Sequence, residues 1–194
     1  MNNIVDRLVV SIYNYFNKEN KLEEDKELYY HAIKIIIHEW STYLFLLLIS
    51  ILTNTVIPTI IYIILLTIIR KYSGGYHADT YFMCWFLYTI FYIIFLVLYQ
   101  TNLFQSTYIN LLFLILSSFY IYQNAPVQHV NNPLTVMEKH QYRFYAIIIL
   151  LVYAGLNLIL QLFDCKIDTI ILIVLIFNAV LMFLLKHSTT YIED

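Results

Sequence analysis

The chain reads as an all-α integral membrane protein of about six short transmembrane helices, preceded by an amphipathic N-terminal helical region. Three observations predict this. Hydrophobic residues fill 61% of 194 positions and charged residues only 12%, about half the charged share of a soluble domain. Mean hydropathy is +0.70. The apolar residues gather in six stretches, 36–53, 55–69, 81–99, 108–122, 144–163 and 169–185, several of them near the roughly 20 residues that carry a helix across a bilayer core. Each stretch is continuously apolar, without the alternation of an outer-membrane strand.

The N-terminal region, 1–35, is read as amphipathic and charged helices on the cytoplasmic side, and 36–194 as a six-helix transmembrane domain. Residues 1–35 are too polar for the apolar segment of a cleavable signal peptide. Ile4, Val5, Leu8, Val9, Ile12, Tyr13 and Phe16 recur at helical spacing, with Asp6, Arg7, Ser11 and Asn14 on the other face. Such a helix is suited either to a membrane surface or to packing on the protein's own core. The charge run 18–27, KENKLEEDKE, is expected to open a second helix that continues into the first span.

From Ser41 to Ile69 there is no charged residue. One helix of that length would measure about 43 Å, against a hydrocarbon core of about 30 Å. Asn54 and Pro58, both turn formers, mark its middle. The stretch therefore predicts two short helices joined by a tight turn. Charge bias agrees. With six spans and the N-terminus inside, the inner segments are 1–35, 70–80, 123–143 and 186–194; of the eleven Lys and Arg residues only Lys166 falls outside them. That follows the positive-inside rule and puts both termini and the 70–80 loop in the cytoplasm. The basic residues are too thinly spread for a nucleic-acid footprint, and two cysteines make no disulfide framework.

The candidate chemistry lies in R-K-Y-S-G-G-Y-H-A-D-T-Y-F-M-C, from Arg70 to Cys84. It holds two of the three glycines, Gly74 and Gly75, together with one of six histidines, His77, and one of two cysteines. A thiol needs a base to act as a nucleophile near neutral pH, and histidine is the usual one. On one continuous helix residues seven apart are separated by about 10.5 Å along the axis, beyond the roughly 3 Å needed for proton transfer. The pair therefore works only if His77 sits on a loop folding back on Cys84 in the early turns of the third span. Gly74 and Gly75 give that freedom, Asp79 or Thr80 is suited to cap the helix, and a helix N-terminus favours thiolate. The alternative is an inert cysteine in an apolar helix. Two ligands are too few for zinc, and no metal or cofactor is expected.

This loop resembles the signature of the accessory gene regulator B (AgrB) family, integral-membrane cysteine endopeptidases of Gram-positive quorum-sensing systems. A second stretch, Ala125-Pro126 followed by Asn132-Pro133-Leu134, resembles that family's other recurring loop, and the likeness extends over nearly the whole chain. The resemblance implies a plasma-membrane enzyme, acting as a homodimer, that cuts the C-terminal part from a small propeptide, AgrD. Cys84 would be the nucleophile and His77 its base. The acyl-thioester left on Cys84 would pass to a residue of the peptide, closing a thiolactone or lactone ring.

Arg70, Lys71, Gly74 and Gly75 match the family loop too. Arg70 is suited either to a substrate carboxylate or lipid phosphate, or to interfacial anchoring. Asp79 and Glu39 read as caps or interfacial charges rather than as partners of His77. Pro126 and Pro133 shape the second loop, a candidate lid over the peptide, which also carries His129 and His140. Cys165 falls on the outer side as a spare thiol. Asn157 and Asn178 are placed to hydrogen-bond between helices. The rival reading is a non-catalytic membrane carrier or scaffold for a peptide or lipid. It leaves the glycine–histidine–cysteine loop without a purpose, and the internal repeats of many carriers are missing.

Overall fold

The computed structural model describes residues 2–16, 26–75, 81–101, 103–128, 134–163 and 165–188. Among the described residues seven α-helices follow one another: α1 (Asn2–Phe16), α2 (Lys26–Leu52), α3 (Val56–Ser73), α4 (Tyr81–Gln100), α5 (Thr107–Asn124), α6 (Val136–Gln161) and α7 (Ile167–Lys186). Among the described residues there is no strand. Among the described residues five helices are long and apolar enough to cross a membrane, within Tyr29–Leu52, Val56–Ser73, Met83–Gln100, Val136–Gln161 and Ile167–Lys186. The chain is an all-α, multi-pass membrane protein. It forms two compact units, 1–49 and 50–194.

In the first unit α1 runs back along α2. Tyr13 stacks on Tyr30 at 4.8 Å between centroids, and Asp6 pairs with Lys34 at 2.8 Å. The Lys26 ammonium lies 5.9 Å from the Tyr13 ring centre and 5.7 Å from that of Tyr30. Val9 and Tyr13 are buried, so the inner edge of the apolar stripe packs on α2, while Leu8 and Val10 on its flanks stay exposed. Of the charge run at 18–27, only the last two residues fall among those described, and they open α2.

The turn expected between 41 and 69 is present. Asn54 takes φ 55, and Thr55 N–H donates to the Ser50 carbonyl at 2.9 Å. Pro58 sits in the first turn of α3, where a helix has no internal acceptor for an N–H and proline does no harm.

In the second unit α7 is the central element. Ile170 to Leu175, Phe177, Asn178, Leu181, Met182 and Leu185 are all buried, and α3, α4, α5 and α6 surround it. It is also the most apolar of the five spans, fitting a helix buried on nearly every side. α3 meets α4 through Thr59 and Tyr92, whose hydroxyls lie 2.8 Å apart, and through Tyr62 stacked on Phe95 at 4.3 Å. Phe177 meets the Tyr62 ring edge-on at 6.2 Å. Between helices lipid supplies no hydrophobic drive, so close packing and hydrogen bonds carry association. Tyr153 of α6 donates to the Leu65 carbonyl at 3.0 Å, and Lys186 of α7 to the Asn124 side chain at 2.8 Å.

α5 covers the fourth of the six apolar stretches, yet it is not among the five apolar helices. It carries Asn110, Ser117 and Asn124, and each of these three side chains makes a hydrogen bond within the second unit. Asn110 bonds to Asp168 of α7, Ser117 to the Phe113 carbonyl, and Asn124 to Lys186. Those contacts take α5 from one end of the bundle to the other.

α6 starts at Val136, well before the apolar run at 144. Thr135 accepts from Glu138 N–H while the Glu138 carboxylate accepts from Thr135 N–H, a capping box. The extra turns are amphipathic, with Glu138, His140 and Arg143 exposed, so apolarity alone does not announce them.

Candidate functional site

The two loops that the sequence singles out meet at one end of the second unit. α3 ends at Ser73, and Gly74 closes it with φ 76, its N–H bonding to the Arg70 carbonyl at 3.1 Å. A left-handed φ suits glycine, and here the space demands it as well, because a Cβ on Gly74 would run into the Val127 carbonyl oxygen. Val127 follows the cis Ala125-Pro126 bond, and its N–H donates to the Ser73 carbonyl at 2.9 Å. Ala125 to Gln128 are all buried. The Gln128 side chain accepts from Leu134 N–H at 3.3 Å, closing the loop on itself.

Ser73 is fully buried and anchors this junction to the central helix. Its hydroxyl lies 3.0 Å from Asn178 Oδ1 on α7. Asn178 thus bonds between helices, as its position inside a span suggests, and Asn157 does the same through the Asp168 carbonyl at 2.8 Å.

Arg70 points inward. It is 8% exposed, one guanidinium nitrogen donates to the Tyr88 hydroxyl, and its carbon stands 4.9 Å from the Tyr88 ring centre. Gly75 passes beside it, with ordinary spacing to the Arg70 and Leu181 side chains. Lys71, one residue on, is exposed and lies 5.4 Å from the Tyr72 ring centre. The two adjacent cations thus occupy different environments, one inside the bundle and one at its surface.

Cys84 is the fourth residue of α4 and is half-buried. Tyr88 lies one turn beyond it on the same helix face, where side chains four apart are neighbours with Cβ atoms about 5–6 Å apart. The Arg70–Tyr88 contact therefore brings a buried positive charge to the face of α4 that carries the thiol. Tyr88 is the residue that reasoning from sequence missed. Its spacing from Cys84 was visible, but nothing in one dimension marks it as the partner of Arg70.

His77 and Asp79 lie outside the described residues, as do Asn132, Pro133 and His129. His140 is exposed on α6, and Glu39 is exposed on α2 in the other unit. Cys165 sits half-buried in the turn between α6 and α7, at the end of the bundle away from Cys84. Among the described residues no three His, Cys, Asp or Glu side chains are grouped to hold a metal.

Fold and junction define a class: a polytopic helical membrane protein in which a glycine-ended helix, locked by a second loop, is followed by a cysteine at the start of the next span. The family model of accessory gene regulator B (AgrB) matches residues 9–186, and the chain belongs to that family. It is also similar to an AgrB-like protein of Clostridium perfringens (strain SM101 / Type A), 24% identical over 145 residues, which cover 72% of this chain and 65% of the relative. The match thus spans a little under two thirds of the relative's length. No solved structure matches the chain.

Proposed function

We propose that this protein is a membrane-embedded cysteine endopeptidase that cuts a small AgrD-like propeptide and promotes its closure into an autoinducing ring. Family membership is in line with a peptidase role in quorum sensing. The observation that carries the reading is the position of Cys84, half-buried at the start of α4 and one turn from the Arg70–Tyr88 contact.

In this reading His77 takes the Cys84 thiol proton as the sulfur attacks the scissile carbonyl carbon. The carbon–nitrogen bond breaks, and the leaving amine takes that proton from His77. The N-terminal part of the peptide remains as a thioester on Cys84. A thiol or hydroxyl of the same peptide then attacks the thioester, loses its proton to His77 and releases the Cys84 sulfur. Exchange of one thioester for another is nearly isoenergetic, so no ATP is required while water is kept out, and a site at the membrane edge is suited to that. Arg70 and Lys71 offer positive charge to an acidic peptide tail. Gly74, Gly75 and Pro126 shape the wall, with Asp79 and Pro133 on the connecting segments. The enzyme is assigned to the plasma membrane, with both termini and the site on the cytoplasmic face following the charge bias; the homodimer is what the family resemblance implies.

Co-expression with the adjacent propeptide reading frame tests this. Cys84→Ala, present in the membrane at the normal level, is expected to lower propeptide cleavage at least about a thousandfold. Undiminished cleavage would sink the enzymatic reading.

A further inference from the structure

The N-terminal unit leaves one of its sides apolar and open. α1 and α2 lie antiparallel, since Asp6 of α1 meets Lys34 of α2, while Tyr13, further along α1, meets Tyr30 and Lys26. Successive residues of a helix turn by about 100°. In an antiparallel pair the residues just after the inner edge therefore share one side, and those just before it share the other. The cleft beside the Asp6–Lys34 pair marks the first side, where Val10 follows Val9 on α1 and His31 follows Tyr30 on α2. The second side takes Leu8 and Ile12 of α1 with Tyr29, Ile36 and Trp40 of α2.

These two sides differ in chemistry. Asp6, Glu27, His31 and Lys34 fall on the first, where the Asp6–Lys34 pair closes at 2.8 Å. On the second, Leu8, Tyr29, Ile36 and Trp40 are all exposed, Trp40 to 71%. An open apolar side opposite a charged one marks a surface for lipid or for protein. Continuity decides between them. Ile36, Trp40, Leu44 and Leu48 recur every fourth residue on one face of α2, all exposed, and all lie in the apolar segment Tyr29–Leu52. The open side of the helix pair thus runs unbroken into the face that a membrane span turns outward.

We propose that this side of the α1–α2 pair is a lipid-contact surface, seated on phospholipid where α2 enters the bilayer, so that α1 holds the first span at a tilt. Span length supplies the room. The 24 residues Tyr29–Leu52 make a helix of about 36 Å, against a hydrocarbon core of about 30 Å, and tilting takes up such an excess. Leaning α2 toward its exposed row lowers the same side of α1 onto the headgroup boundary and leaves the Asp6–Lys34 side in water. Tyr29 and Trp40 carry rings suited to that boundary. An amphipathic helix on its own admits a place on the membrane or on the protein core; α1 takes both, its inner edge on α2 and its flank on lipid. The inference concerns the N-terminal unit and stands apart from the reaction proposed at Cys84.

The test uses the full chain reconstituted in phosphatidylcholine vesicles, with Trp40→Phe and Trp85→Phe removing both native tryptophans. One reporter is then placed on each side of α1, Leu8→Trp or Val10→Trp, with Ile12→Trp and Asn14→Trp as the second pair should either fail to fold. Lipid brominated at the headgroup end of its acyl chains is expected to quench the Leu8→Trp reporter at least about twofold more than the Val10→Trp reporter. Aqueous acrylamide is expected to show the reverse order. Equal quenching of the two by brominated lipid would overturn the proposal, since α1 would then have no side turned to the bilayer. A Leu8→Trp reporter shielded from acrylamide yet untouched by brominated lipid would also overturn it, and would assign that side to a protein surface.

Discussion

At Gly74 the backbone turns with φ 76 and passes so close to Val127 that a Cβ would meet its carbonyl oxygen. Gly74→Ala therefore combines a strained backbone with a clash against another backbone, which cannot swing away. It is expected to destabilise the protein by at least about 2 kcal/mol, measured by unfolding in detergent. Gly155, inside α6, is the control: nothing lies within 4 Å of an added Cβ there. Gly155→Ala should be neutral or stabilise by up to about 1 kcal/mol. The paired glycines were visible in the sequence as a hinge only in the sense that glycine permits a turn; the oxygen that makes Gly74 obligatory belongs to a residue more than fifty positions away. Arg70 teaches the same lesson. A basic residue at the end of an apolar stretch reads equally as a lipid anchor or an inward charge, and only the Tyr88 contact decides its direction.

Among the elements, the helix boundaries most legible in the sequence were those set by backbone chemistry. Asn54 and Pro58 mark the break between α2 and α3, and it falls there because a positive φ and a missing N–H are local properties. The start of α6 was hidden, since its first turns are amphipathic and apolarity registers only from residue 144. Its capping box carries the helix back to Thr135. Thr135→Ala removes the acceptor for Glu138 N–H and should lower stability by about 1 kcal/mol, read as a fall in unfolding midpoint with unchanged helical content. α5 was legible as a helix but not as a polar one. Asn110 and Ser117 face bonds inside the bundle, and one sequence cannot say which face of a span is turned from lipid. α1 left two placements open, and the Tyr13–Tyr30 stack shows its inner edge on α2.

At the scale of the whole molecule, the charge bias makes a prediction that the packing of the larger unit renders easy to read. Cys84 begins α4 and Cys165 lies in the turn between α6 and α7, near opposite ends of the helices, and both are half-buried. A difference in their labelling would therefore report the side of the membrane rather than depth in the protein. A membrane-impermeant maleimide on intact cells should label Cys165 in preference to Cys84; strong external labelling of Cys84 would reverse the assigned topology. The central claim concerns the sulfur of Cys84, and its most direct test is a trapped intermediate. The chain is co-expressed with a propeptide lacking its ring-closing thiol or hydroxyl, quenched in acid and examined by intact-mass spectrometry. The account predicts a gain equal to the N-terminal part of the propeptide, mapped to Cys84 and released by hydroxylamine. An adduct carried by another residue, or one that persists in Cys84→Ala, would contradict it.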